Sequence, residues 1–224
     1  MKKLLLICTL LYSFFSISQN ACSYNTNVDY SYVCDNIRNN FYSNKEADSV
    51  LDNILYVSGL AKRFALIQCD DIDNCYATML DGGVRVIIYD GDFMKEVAKN
   101  NYAKTSILAH EIGHHVNNHI LDPDGSLSGQ RQMELEADEW SGRTMFQLGY
   151  SLSQAQEAIR KTSNSINSDD TYSTHPSLNK RLNAIERGWM SAKKLVDELA
   201  NNHNTILNND DGGYIPQLTR ENTN

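Results

Sequence analysis

Apolar positions recur along this chain with two different periods, and the switches between them mark its elements. From Ala47 the residues Val50, Leu51, Ile54, Leu55 and Val57 fall at helical spacing as far as Gly59, which predicts an amphipathic helix stopped by glycine. The stretches RFALIQC, CYATML and VRVIIYD are short, β-branched or aromatic, and separated by the turn-forming clusters 70–74 and Asp81-Gly82-Gly83. They predict a small antiparallel sheet with a hairpin at the glycine pair. GDFMKEVAKN reads as a short helix, and from Tyr102 onward the period is helical again. One helix carries LAHEIGHHVNNH, with Ile107, Leu108, Ile112 and Val116 on a buried side and the opposite side facing a cleft. A second spans 129–148, with Met133, Ala137, Trp140, Thr144 and Leu148 as its stripe and Gly149 as its stop. A third begins at Ser151, whose spacing to Gln154 is that of a capping box, and ends near Lys161. The last starts at Pro176 and buries Leu178, Leu182, Ile185 and Trp189. No internal repeat is present.

The ends of the 224-residue chain follow other rules. MKKLLLICTLLYSFFSIS has a basic start, an apolar run and small residues at Ser16 and Ser18, the layout of a secretory signal peptide over 1–18. Its apolar run is shorter than the roughly 20 residues a bilayer needs, and no later stretch is long enough to span. Residues 19–44 read as a polar arm, 45–200 as one domain and 201–224 as a flexible polar tail; the connection 162–174 is polar too. Removing Lys2 and Lys3 takes the formal charge from -8 to -10, since 1–18 hold no acid. An acidic chain without a basic cluster argues against a nucleic-acid partner.

Export also frames the cysteines. Cys8 leaves with the signal peptide, and Cys22, Cys34, Cys69 and Cys75 remain, an even number in an oxidising compartment that favours disulfides. Three pairings are open; Cys22 with Cys34 and Cys69 with Cys75 close the shortest loops. No Cys-x-x-Cys spacing points to metal or redox chemistry. Cys22 also stands just after the apolar run, where a lipid anchor would attach, but Gln19, Asn20 and Ala21 fit poorly before it.

Four of the six histidines lie in LAHEIGHHVNNH. His110-Glu111-Ile112-Gly113-His114 is an H-E-x-x-H sequence, and on a helix its i, i+4 histidines share one face, where two neutral imidazoles can hold one zinc ion. Glu111 sits one residue around, beside the ligands, where it can act as a general base. His115 and His119 fall outside the pair and read as packed or surface residues. A catalytic site needs a third ligand, and Glu134 and Asp138 in RQMELEADEWSG share a helix face at i, i+4. One of the two can bind metal while the other accepts the remaining ring N–H of a ligating histidine. Glu136 lies on another side and reads as solvated.

Three of these stretches together resemble the zinc metalloendopeptidases of the CAAX prenyl protease/HtpX type, the forty-eighth metallopeptidase family. LAHEIGHHVNNH is similar to its zinc helix, ELEAD (134–138) to its third-ligand motif, and STHPSLNKRLNAIERGW (173–189) to its later His-Pro element. NCYATMLDGGVRVIIYD resembles the hairpin ahead of the zinc helix. The resemblance implies an α+β, mostly helical, gluzincin-like zincin domain with a small antiparallel sheet before the zinc helix. It implies one zinc ion on His110, His114 and Glu134, with Glu111 as general base and Asp138 and Arg181 supporting the ligands. His175 is placed near the metal, to stabilise the oxyanion or block the fourth position, and Asn74 near substrate. Family members that cleave prenylated proteins have spanning helices; this chain has none, so unmodified polypeptides are the expected substrates. VRVIIY leads to the zinc helix and offers an edge for an extended peptide. The function expected is a zinc metalloendopeptidase acting on unfolded or damaged exported proteins, periplasmic or secreted; the alternative is a non-cleaving, chaperone-like binder of extended peptides using the same cleft.

Overall fold

The computed structural model describes residues 22–23, 44–80, 83–97, 100–121, 125–162 and 173–209. The expected signal peptide, nearly all of the arm and the 163–172 connection lie outside them. The elements run β1 (Cys22–Ser23), α1 (Lys45–Ser58), β2 (Phe64–Gln68), β3 (Cys75–Leu80), β4 (Val84–Tyr89), α2 (Gly91–Val97), α3 (Asn101–Val116), α4 (Leu127–Gln147), α5 (Leu152–Ala155), α6 (Glu157–Thr162) and α7 (Leu178–Asn209).

Local chemistry sets these boundaries. Asn44 caps α1 by accepting the Ala47 N–H at 2.8 Å, and Gly59 ends it at φ 65°, a left-handed turn that glycine adopts without steric cost. Ser126 caps α4. Ser151 and Gln154 form the expected capping box, after which Gln156 divides the third predicted helix into α5 and α6. The helix α7 continues to Asn209, so 201–209 is helical rather than tail. Extending a packed helix costs far less than nucleating one, and the i, i+4 pairs Lys193–Asp197 and Lys194–Glu198 support the extension.

The sheet order is β1-β3-β4-β2. The β3–β4 hairpin is antiparallel, with Thr78 opposite Val86, but β2 lies parallel to β4, with Leu66 opposite Ile87. The sheet is therefore mixed, which corrects the antiparallel expectation. The cause is the run Val86-Ile87-Ile88-Tyr89, buried along its whole length, which gives β4 the internal position that continuous apolar strands occupy. With partners on both sides, β4 has no free edge for a peptide, and that expectation is corrected too. One face of the sheet, through Leu66, Cys75, Ile87 and Tyr89, joins the helical core; the other carries a smaller cluster around Ile67, Tyr76 and Ile88. Cys75 is a free buried thiol, so the expected Cys69–Cys75 bridge is not formed, and Cys69 is disulfide-bonded otherwise.

The helix α3 is central. Every residue from Thr105 to His115 is buried, where one-sided burial was expected. Ile107, Leu108 and Ile112 each contribute roughly 1.5–3 kcal/mol by leaving water. Two close approaches set the helices that flank the site. A Cβ on Gly113 would stand 3.0 Å from the Ala137 Cα, so glycine lets α4 close on α3. Between α4 and α7, a Cβ on Gly142 would lie 2.0 Å from the Ile185 carbonyl oxygen, and one on Gly188 1.8 Å from that of Glu139. Only glycine permits contact at these distances. Among the described residues, no helix is long and apolar enough to cross a membrane.

Candidate active site

The close contact of α3 and α4 brings Glu134 to the histidine pair. His110 Nε2 and His114 Nε2 lie 3.1 Å apart. Glu134 Oε2 is 3.4 Å from the first and Oε1 3.4 Å from the second. All three side chains are buried. A tetrahedral zinc ion with ligands at about 2.0–2.1 Å separates its ligand atoms by about 3.3 Å, so these groups fit a zinc ion in spacing and in donor type.

Asp138, one turn further along α4, sits on the far side of His110. Its Oδ1 is 2.9 Å from His110 Nδ1. Arg181 of α7 grips it with both arms of its guanidinium, Nε donating to Oδ2 at 2.7 Å and Nη2 to Oδ1 at 2.8 Å, and Nη2 also lies 3.4 Å from Glu134 Oε2. Burial alone would depress the His110 imidazolium, but the charge and hydrogen bond of Asp138, helped by Glu134, lift its pKa to about 9. Burial works the same way on His114, and there it wins, leaving a pKa of about 4. Burial opposes the charge on Glu134 as well, but the neighbouring His175 and the hydrogen bonds of His110 and His114 hold this carboxyl well below its usual range. His175 lies with Nδ1 3.2 Å from Glu134 Oε2, on a segment tied down by the Arg131 hydrogen bond to the Ser173 carbonyl.

Glu111, the next residue on α3, reaches the sheet. Its Oε2 accepts the Ala77 N–H of β3 at 2.8 Å, while Oε1 is buried with no hydrogen-bond partner. Burial raises its pKa to about 8; the His110 charge opposes the rise and Glu134 adds to it. A desolvated carboxyl titrating near neutrality, with one oxygen unpartnered beside a metal position, is equipped to exchange a proton with a water.

The other two histidines of LAHEIGHHVNNH, His115 and His119, are both buried. His115 is packed: it stacks on Phe64 at 5.3 Å, and its Nε2 meets the Val86 carbonyl at 2.9 Å. His119 returns to the site, with Nδ1 2.9 Å from His114 Nδ1 and Nε2 3.0 Å from Glu136 Oε2. Glu136, half-exposed, is thus engaged rather than merely solvated. Asn74 is fully buried just ahead of β3, its carbonyl accepting the Asp90 N–H at 2.8 Å. It stands three residues before Ala77, whose N–H binds Glu111.

A histidine pair on one helix, an acid from the next and a desolvated carboxyl beside them are the parts of a metal-dependent hydrolase. The sequence model of Peptidase family M48 matches residues 43–124 and 120–188, and the chain belongs to that family of metallopeptidases, whose substrates are polypeptides. No curated protein and no solved structure matches it.

Proposed function

We propose that the chain is an exported zinc metalloendopeptidase that hydrolyses peptide bonds in unfolded or damaged exported proteins. One observation carries the hydrolytic reading: Glu111 Oε1 is buried and unpartnered, on the residue next to His110 of three ligand groups spaced for one ion. A cleft that only binds peptide gains nothing from a desolvated carboxyl, which costs stability if left unused. His110, His114 and Glu134 hold the ion. When bound, zinc supplies the Lewis acidity that polarises a peptide carbonyl and makes a water acidic near neutral pH. Glu111 takes the proton of the attacking water and delivers it to the leaving amine; a pKa near the working pH suits both transfers. Asp138 and Arg181 hold the His110 ring, and His175, next to Glu134, donates a hydrogen bond to the developing oxyanion.

The preference for unfolded chains rests on β3. The Ala77 N–H donates to Glu111, and β1 pairs antiparallel with β3 at Tyr76 and Ala77, so the base and an extended segment meet β3 at the same residue. That edge of β3 already holds the short extended β1, so a substrate strand takes the place of β1 there, held by backbone hydrogen bonds that select conformation more than sequence. Asn74, leading into β3, is the proposed contact at its start. Export is supported by the signal-peptide pattern of 1–18. The test is zinc content together with cleavage of unfolded casein: one zinc per chain, with activity lost on chelation and restored by zinc, is expected, and zinc-free cleavage would contradict the proposal.

A further inference from the structure

We propose that His119 and Glu136 are positioning residues for the metal ligand His114, forming a chain of hydrogen bonds whose proton order is set by the ligand's role. This rests on the metallopeptidase reading given above. The local fold explains how His119 gets there. Asn117 caps α3, and Asn118 turns left-handed at φ 59°. The Asn118 N–H then meets the His115 carbonyl at 3.3 Å and the His119 N–H the His114 carbonyl at 3.0 Å, the paired bonds of a Schellman ending. Arg85 of β4 secures the turn, donating to the Asn118 side chain at 2.8 Å and to the His115 carbonyl. The turn folds His119 back beneath His114, where it is 5% exposed.

The order of protons follows by elimination. His114 Nε2 faces His110 and Glu134, so as a ligand it must offer a lone pair, and the ring proton is on Nδ1. Nδ1–H donates to His119 Nδ1, which is therefore unprotonated, and His119 Nε2–H donates to the Glu136 carboxylate. Gln132 holds the other Glu136 oxygen at 2.9 Å. Each link has a donor and an acceptor, and reversing any of them takes the lone pair of His114 away from the metal. His119 thus fixes both the tautomer and the ring orientation of His114.

Zinc competition with a chelating dye, together with NMR of the zinc-loaded, ¹⁵N-histidine-labelled chain, tests this. His119→Ala is expected to lower zinc affinity about 10–100-fold, the usual effect of losing a ligand's outer partner. In the wild type, the His114 Nδ1 proton should show scalar coupling across the hydrogen bond to His119 Nδ1, a signature that a packing role alone would not produce. Wild-type affinity in His119→Ala, or a proton on His119 Nδ1, overturns the proposal. Should His119→Ala fail to fold, Glu136→Ala decides: this half-exposed residue is expected to weaken zinc binding by less than tenfold, and unchanged affinity overturns the proposal. A wild-type chain that takes up no zinc sinks the metallopeptidase reading and this proposal together, whereas wild-type uptake with an unaffected His119→Ala sinks only the latter.

Discussion

The two imidazoles at the metal position are braced in opposite ways. His110 rests on a buried carboxylate, Asp138, itself held by the buried guanidinium of Arg181, so its support reaches across α3, α4 and α7. His114 rests on a histidine five residues along its own chain and, beyond that, on a half-exposed carboxylate. The first brace is ionic and deep and is shared with the packing of three helices; the second is local and ends near solvent. Damage to the first should therefore cost stability as well as metal, while damage to the second should cost metal alone.

The largest effect should come from the residue common to both sides. Glu134→Ala removes a ligand of the triangle and is expected to weaken zinc binding by more than the roughly 100-fold typical of outer partners, as read by chelator competition. If its zinc affinity equalled that of Glu136→Ala, the triangle would be wrong. Next comes Arg181→Leu, which takes the guanidinium from the buried Asp138 carboxylate and leaves it His110 as its remaining charged partner. Breaking a buried pair in this way costs about 3–5 kcal/mol, to be measured by urea unfolding of the metal-free protein. A loss under about 1 kcal/mol would place the Arg181–Asp138 pair with ordinary surface pairs and erase the contrast between the braces.

How far this contrast could be read from the sequence depends on the geometry at each residue. The i, i+4 spacings of His110 with His114 and of Glu134 with Asp138 survive folding because both pairs lie inside regular helix, where residue number fixes direction. Arg181 came from its family-like spacing, and the Gly142–Ile185 and Gly188–Glu139 contacts are what bring α7 close enough for it to grip Asp138. His119 was not legible: helical arithmetic runs out at Val116, and one left-handed residue, Asn118, reverses the direction of the chain. The signal was the Asn117-Asn118 pair, since asparagine tolerates that conformation. The sheet shows the same division. Alternation and β-branching located all three of the longer strands, but pairing is a long-range choice, and β2 took the parallel place on β4 that local pattern does not encode.

The pH dependence of metal uptake should also separate the two sides. With His110 near 9, its proton must leave before the ring can ligate, so zinc affinity should rise about tenfold per pH unit between pH 6 and 9 and level off above. His114, near 4, is already neutral across this range and adds no slope. Asp138→Asn should move the plateau to lower pH; a flat profile in the wild type would contradict the His110 brace. Outside both braces, His175→Ala should lower turnover by at most about a hundredfold with little change in KM. A rise in basal cleavage would instead make His175 a blocking group.

The central claim is that the unpartnered oxygen of Glu111 moves the proton, and the most direct measurement is casein cleavage by zinc-loaded Glu111→Gln. The amide keeps the side chain's shape and leaves all three ligands in place. The expected result is wild-type zinc content and wild-type unfolding with cleavage reduced at least about 100-fold; cleavage at the wild-type rate by the folded, zinc-loaded variant would contradict the account.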